Sequence, residues 1–280
     1  YYDGIENHTI EHLLYYLSQT QNADGSFGAY NQYEITAELA FLLSKIGATD
    51  NDQYPLMLSY LQTAAPQNTR EKALKARALA SLNQPYQALL DSIIAAQNTD
   101  GGFGIDENHE SDLQTTLEVA RALYATGGAT GSVLSSALFF AASKVQSDGS
   151  IIVRTGSNPS YFLINKTLEY LKPFETYRVN DGTTEIIIQD KINSMIAYLT
   201  AQYDESTSTF ANQYDLMDEL MTLYSFQLYN RETAKQNQLS ASGTQQQGSD
   251  GSFGDSLYGA LTALMTLSQG DLAITRITPV

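Results

Sequence analysis

The sequence has no cysteine, no tryptophan and few prolines, and its 15 Lys and Arg residues face 31 Asp and Glu. Without cysteine, disulfides, thiolate zinc sites and thioesters are excluded. Export is not excluded by that absence. The formal charge of −16 and sequence pI of about 4.4 oppose a nucleic-acid partner, whose phosphates need a basic footprint. They equally oppose an anionic membrane surface and favour solubility. No apolar run approaches the length of a membrane span, and no signal peptide is recognisable. The chain starts at Tyr1, so a mature form or an excised domain is expected. What the chain has instead is 280 residues, enough for one large core, and a wealth of Tyr, Asn, Gln, Thr and Ser. That composition is expected of an exported or cell-surface protein.

It also has an internal repeat. Gln97-Asn-Thr-Asp100-Gly101-Gly102-Phe103-Gly104 returns as Gln21-Asn-Ala-Asp24-Gly25-Ser-Phe27-Gly28 and as Gln247-Gly-Ser-Asp250-Gly251-Ser-Phe253-Gly254. A worn copy is Gln146-Ser-Asp148-Gly149-Ser150, and a weaker one runs from Gln202-Tyr-Asp204 to Phe210. A fixed period sets the architecture. Each copy closes one segment with apolar residues at helical spacing and opens another. The motif therefore reads as a helix-to-helix corner. Its glycines permit left-handed angles, its Asp bonds turn amides, its Gln reaches neighbouring main chain, and its Phe plugs the corner. After the corner, Ile35-Thr36-Ala37-Glu38-Leu39-Ala40 aligns without gaps with Thr115-Thr116-Leu117-Glu118-Val119-Ala120. Asp112 or Thr115 is the expected N-cap of the latter helix. Thr69-Arg70-Glu71 leads a similar helix without a preceding Asp-Gly turn. The chain thus holds about six helix pairs of roughly 45 residues.

Gln-x-x-Asp-Gly-x-Phe-Gly followed by a Thr-Ala-Glu-Leu-Ala helix resembles the repeat of the terpenoid cyclase and protein prenyltransferase superfamily, with Phe27, Phe103 and Phe253 where Trp is usual. The resemblance covers nearly the whole chain. It implies an all-α fold, an α/α toroid of about six inner and six outer helices. The superfamily includes cyclases, prenyltransferase subunits, cobalamin carriers and thioester domains, and fold alone does not choose among them. Squalene-type cyclases protonate with an Asp-rich motif ending in Thr-Ala-Glu. Tyr33-Glu34-Ile35-Thr36-Ala37-Glu38 keeps the ending without the Asp cluster. The chain also lacks Trp for a carbocation cavity and is less than half the usual cyclase length. Prenyltransferases hold zinc with Asp, Cys and His, and here there is no Cys. No catalytic set and no resident metal is assigned.

Outer helices are expected at 9–20, 52–64, 85–97, 132–145 and 186–201, and inner helices at 34–47, 70–82, 112–126, 157–171, 215–229 and 256–268. A polar short helix with a mobile loop is expected over 232–247. Asn180-Asp181-Gly182 signals a hairpin insertion, with Ile151–Arg154 as the expected partner strand. The toroid should occupy residues 1–270. Residues 271–280 alternate like a strand that leads into a β domain, as in a monomeric module of a multidomain chain.

The starts of the inner helices should gather at one mouth. There Tyr33, Glu34, Glu38, Glu71, Asp112, Glu118, Tyr161, Tyr214, Asp215, Asp218 and Tyr258 are the candidate ligand-binding residues. Tyrosines with carboxylates suit a polar small molecule or polymer with flat apolar faces, such as a sugar, a corrinoid or a peptide. The same acids can simply complement helix N-termini, and the tyrosines can pack corners. Arg70, Lys72, Lys75 and Arg77 read as a solvated face or as a site for a small carboxylate. His8 and His12 share a helix face at metal-ligand spacing, which a solvated pair also explains. Asp106-Glu107-Asn-His109-Glu110-Ser-Asp112 is acidic enough for Ca²⁺ but lacks a known calcium-loop spacing. Asn7-His-Thr9 and Asn165-Lys-Thr167 are glycosylation sequons. The reading taken is a ligand- or partner-binding module. The alternative is a polysaccharide hydrolase or lyase using mouth carboxylates such as Glu38 and Glu118, which needs two acids across a cleft.

Overall fold

A computed structural model describes residues 5–45, 47, 53–127, 131–154, 156–204, 209–210, 216–245, 247–253 and 257–267. Among them are twelve α-helices: α1 Ile5–Gln19, α2 Gln32–Lys45, α3 Gln53–Thr63, α4 Thr69–Ser81, α5 Gln87–Ala95, α6 Leu113–Ala125, α7 Ser132–Ser143, α8 Tyr161–Leu171, α9 Ile188–Gln202, α10 Leu216–Leu228, α11 Thr233–Gln245 and α12 Leu257–Leu267. The periodicity placed these helices to within a few residues. Two departures stand out. α8 starts at Tyr161, not at Ser157. Residues 233–245 form a full helix, because their Gln- and Ser-rich sequence contains neither Pro nor an early Gly to break it.

The chain divides into two compact units. One contains the described residues within 1–65 and 215–280, and the other those within 66–214. In the first unit α12 packs against α1, α2 and α10, while α3 lies on α2 and α11 on α10. In the second unit α6 packs between α4 and α8, while α5, α7 and α9 cover α4, α6 and α8 respectively. Each unit is thus an inner row of helices backed by outer ones. The inner helices α2, α4, α6 and α8 bury most of their side chains. In α6 that includes Leu117, Val119, Ala120, Ala122 and Leu123.

Polar caps start the inner helices of the second unit. Asn68 Oδ1 accepts from Glu71 N–H at 2.8 Å, and the Glu71 carboxylate accepts in turn from Gln67 N–H at 2.6 Å. Asp112 caps α6 by accepting from Thr115 N–H at 2.8 Å, and Ser160 caps α8 through Leu163 N–H. These bonds satisfy amides that the first helical turn leaves without partners.

The hairpin forms, but with a different partner strand. β1 Arg178–Asn180 pairs antiparallel with β2 Glu185–Ile187, and Ile151–Arg154 is not a strand. The loop between the two is short, and Asp181 Oδ1 ties it by accepting from Thr183 and Thr184 N–H. A local partner closes a smaller loop than one some 25 residues away, at lower entropic cost. The weak repeat copy forms a second pair, β3 Tyr203–Asp204 with β4 Thr209–Phe210. The strand expected at 272–280 lies outside the described residues, as do Tyr214 and Asp215.

Candidate functional site

The repeated motif builds corners. Phe27, Phe103 and Phe253 are completely or almost completely buried. Phe27 N–H donates to Thr36 Oγ1 and Phe103 N–H to Thr116 Oγ1, each at 2.9 Å. Gln21 Nε2 donates to Gly25 O and onward to Gln53 O at the start of α3. Gln97 repeats this with Gly101 O and Val133 O in α7. In four of the copies the Asp accepts from the amide two residues on. Hydrogen bonds from Ser26, Ser150 and Ser252 hold Asp24, Asp148 and Asp250 below the usual carboxylate range.

The corner glycine is required twice over. Gly149 has φ +90°, and a Cβ there would stand 2.0 Å from Ser194 O in α9. Gly25 meets Leu56 O of α3 and Gly251 meets His12 O of α1 at 2.2 Å in the same way. The last corner therefore docks on the first helix, as each earlier corner docks on the outer helix that follows it.

The interior of the second unit holds something the repeat does not dictate. Arg77 of α4, Arg121 of α6 and Glu169 of α8 each stand nine residues past their N-caps Asn68, Asp112 and Ser160. Around them gather Glu118, Lys166 and Tyr170. Glu169 is ion-paired with Arg121, and its other oxygen takes Lys166 Nζ at 3.1 Å. Tyr170 donates its hydroxyl to Glu118, whose other oxygen faces Arg77 Nη1 at 3.9 Å. The Arg121 guanidinium and the Lys166 ammonium both lie over the Tyr170 ring, 4.7 and 5.4 Å from its centre, a cation–π arrangement. Burial alone pushes the Glu169 carboxyl up. The charges of Arg121 and Lys166, the Arg121 hydrogen bond and the charge of Arg77 outweigh it and bring the group down to about 2. An unpaired carboxylate in such a site would be far too costly. Arg77 and Glu169 are sealed from solvent, whereas Arg121 and Lys166 keep 12% and 11% of their side chains exposed.

A solvated face is thus not what Lys75 and Arg77 form, since both are buried and burial lowers the Lys75 pKa. Of the other expected site residues, Glu71 and Asp112 serve as caps in α4 and α6. Tyr161 is buried in a tilted pair with Tyr198, and Tyr33 in one with Tyr60. Glu34 and Glu38 are half-buried on α2. Asp218 is buried beside Glu219 on α10. Burial raises the Glu219 pKa, and the Ser242 hydrogen bond only partly offsets this. The side chain of Tyr258 and all of Tyr214 and Asp215 lie outside the described residues.

In the acidic loop Asp106 accepts from Asn108 N–H and pairs with His109 Nδ1 at 2.7 Å. No group of three or more potential metal ligands occurs among the described residues. Asn165 and Thr167 are 1% and 0% exposed, so that sequon is closed to glycosylation in the folded protein. Arg121, Lys166, Glu169 and Tyr170 escaped the sequence reading. The equal spacing from the caps would have found three of the six cluster residues, once Asn68 and Ser160 were recognised as caps.

The arrangement has structural counterparts. Over 94% of this chain and 97% of its own, a variant of the type II terpene cyclase MstE from Scytonema, in complex with geranylgeranyl dihydroxybenzoate, superposes with a TM-score of 0.70 at 11% identity. The fold is that of the type II terpene cyclases. It is the α/α-toroid fold that the repeat resembles. A protein from Actinoplanes matches 94% of this chain and 98% of its own (TM-score 0.67, 11% identity). An ent-copalyl diphosphate synthase from Streptomyces platensis matches 85% of this chain with half of its own length (TM-score 0.61, 13% identity). No protein-family model and no curated relative matches the sequence. The near-equal span of the MstE match overturns the length argument against cyclases, because a cyclase of this size exists. The identities are low enough that the likeness speaks for the fold alone.

Proposed function

We propose that the chain is a ligand-binding module of an exported protein and not a cyclising enzyme. The observation that carries this reading is the state of the buried acids in the second unit. Glu118 and Glu169 are engaged by a phenol and by cations, and Glu169 is held ionised near a pKa of about 2. A cyclase of the resembled type starts by protonating its substrate, and a proton donor works best with a pKa near the operating pH. Glu169 offers no proton at neutral pH. The same network carries Arg121 and Lys166, its partly exposed cations, which suit a polar ligand that bears an acidic group. The composition, rich in Tyr, Asn, Gln, Thr and Ser, supports export.

Thermal unfolding in the presence of corrinoids, isoprenoid diphosphates, acidic oligosaccharides and Ca²⁺ tests the proposal. A ligand at about 100 times its dissociation constant adds about 2.7 kcal/mol, a midpoint rise of about 5 °C in a chain of this size. The expected result is such a rise with one class, lost in Lys166→Met. That variant removes a partly exposed cation and leaves the Arg121–Glu169 pair in place. A rise unchanged in Lys166→Met places the ligand elsewhere, and no rise with any class counts against binding.

A second reading has its own observation. Glu219 of α10 is a buried acid whose pKa is raised, which is the condition a proton donor needs, and the fold and span match MstE. On that reading Glu219 is the acid of a small type II cyclase.

A further inference from the structure

We propose that Tyr124 and Tyr177, seated on Phe174, form a carbohydrate-binding platform on the surface of the second unit, at the C-terminal end of α6. Phe174 is fully buried in the 3-10 turn that follows α8. Both tyrosine rings pack edge-on against it, Tyr124 at 4.9 Å and 76° and Tyr177 at 5.4 Å and 77°. Tyr124 nonetheless stays 48% exposed and Tyr177 43%. Most of the chain's large apolar side chains are inside, so two such rings sharing one buried anchor are not isolated surface residues.

The backbone under the platform is fixed. Tyr177 N–H donates to Phe174 O at 2.8 Å, and Tyr177 O accepts from Ile188 N–H at 3.1 Å. The Tyr86 hydroxyl donates to Thr126 O at 3.0 Å, which pins the end of the helix that carries Tyr124. Rings held in place before binding lose little entropy when a ligand stacks on them.

Charge selects the ligand class. The chain is strongly acidic, with a formal charge of −16, but here the charges come in matched pairs: Lys172 with Glu175, and Arg178 with Glu185. The sequence from Tyr124 to Val133 contains no charged residue at all. Two exposed aromatic rings beside paired charges complement a neutral molecule with apolar C–H faces and many hydroxyls. A pyranose has both. A nucleic acid would need basic residues here, and an anionic lipid surface would be repelled by the chain as a whole.

Titration calorimetry of the full chain with cellohexaose, xylohexaose and chitohexaose tests the platform. The expected result is binding of at least one by the wild type, weakened roughly tenfold by each ring removed in Tyr124→Ala and Tyr177→Ala. Tyr124→Phe and Tyr177→Phe should keep most of it, because the faces do the stacking. Tyr15→Ala, which removes an exposed ring from α1 of the other unit, should bind the sugar as the wild type does. An unchanged unfolding midpoint checks that each single variant keeps its fold. Should a variant's midpoint fall, ring-proton shifts of Tyr124 and Tyr177 in wild-type NMR spectra titrated with the bound hexaose decide the matter, and their absence overturns the proposal. No binding by the wild type, or equal binding without either ring, overturns the proposal. Capture of a protein partner by this face without sugar binding overturns it as well.

Discussion

The corners and the inner-helix charges of this molecule repeat in opposite ways. At the corners both the words and the geometry recur: Gly25, Gly101, Gly149 and Gly251 all have positive φ and all press on a neighbouring outer helix. Nine residues past the caps of α4, α6 and α8 the position recurs but the chemistry does not, with Arg77, Arg121 and Glu169 in turn. A turn that closes on backbone tolerates few solutions, so duplication preserved it. An interior position that only has to be filled and neutralised can diversify. The difference teaches where to look for function in a repeat protein: at equivalent positions whose residues disagree.

The strongest way to break the comparison is Glu169→Ala. It leaves Arg121 and Lys166 without their shared carboxylate in a buried site, and loss of one partner of such a pair costs about 3–5 kcal/mol. Urea unfolding should show that loss, whereas no corner carboxylate should match it. Acid provides a related test. The Glu169 carboxyl titrates near 2 in the folded chain against an ordinary 4.5. A lowered pKa contributes stability that is fully present above about pH 5 and is lost as the pH falls toward 2. The difference corresponds to about 3 kcal/mol. Wild-type stability should drop across that window, and Glu169→Gln, weaker at neutral pH, should show a flatter profile there.

Smaller effects sharpen the other side of the comparison. Gly149→Ala forces an L residue into a left-handed angle against Ser194 O, at a cost of about 1–3 kcal/mol. Gly25→Ala and Gly251→Ala should give losses of similar size, because their surroundings are alike; unequal losses would mean the corners are not equivalent. The smallest expected effect is Asp112→Ala, which removes the α6 cap and costs about 1 kcal/mol. Denaturant midpoints read all of these.

Most of the helical architecture was legible because the motif recurs with Gln, Asp, Gly and Phe in fixed places and the helices between carry clean periodicity. The hairpin turn was legible in Asn180-Asp181-Gly182, but its partner strand was not. Glu185–Ile187 runs directly into α9, and in sequence it looks like the start of that helix. The interior network was only half visible. Glu118 stood out through its match to Glu38, while Arg121 and Glu169 sit amid apolar residues and acquire meaning only when three helices bring them together. Lys75 and Arg77 misled for the opposite reason: a run of basic residues on one helix normally marks a wet face, and here two of the four turn inward. The caps Glu71 and Asp112 show how an acid at a helix start serves the helix first.

The central claim, that this fold binds here and does not cyclise, is tested most directly by incubating the chain with geranylgeranyl dihydroxybenzoate and separating the products chromatographically. The account predicts unchanged starting material for the wild type and for Glu219→Gln alike. A cyclised product formed by the wild type and abolished in Glu219→Gln would contradict it and make Glu219 the acid of a working cyclase.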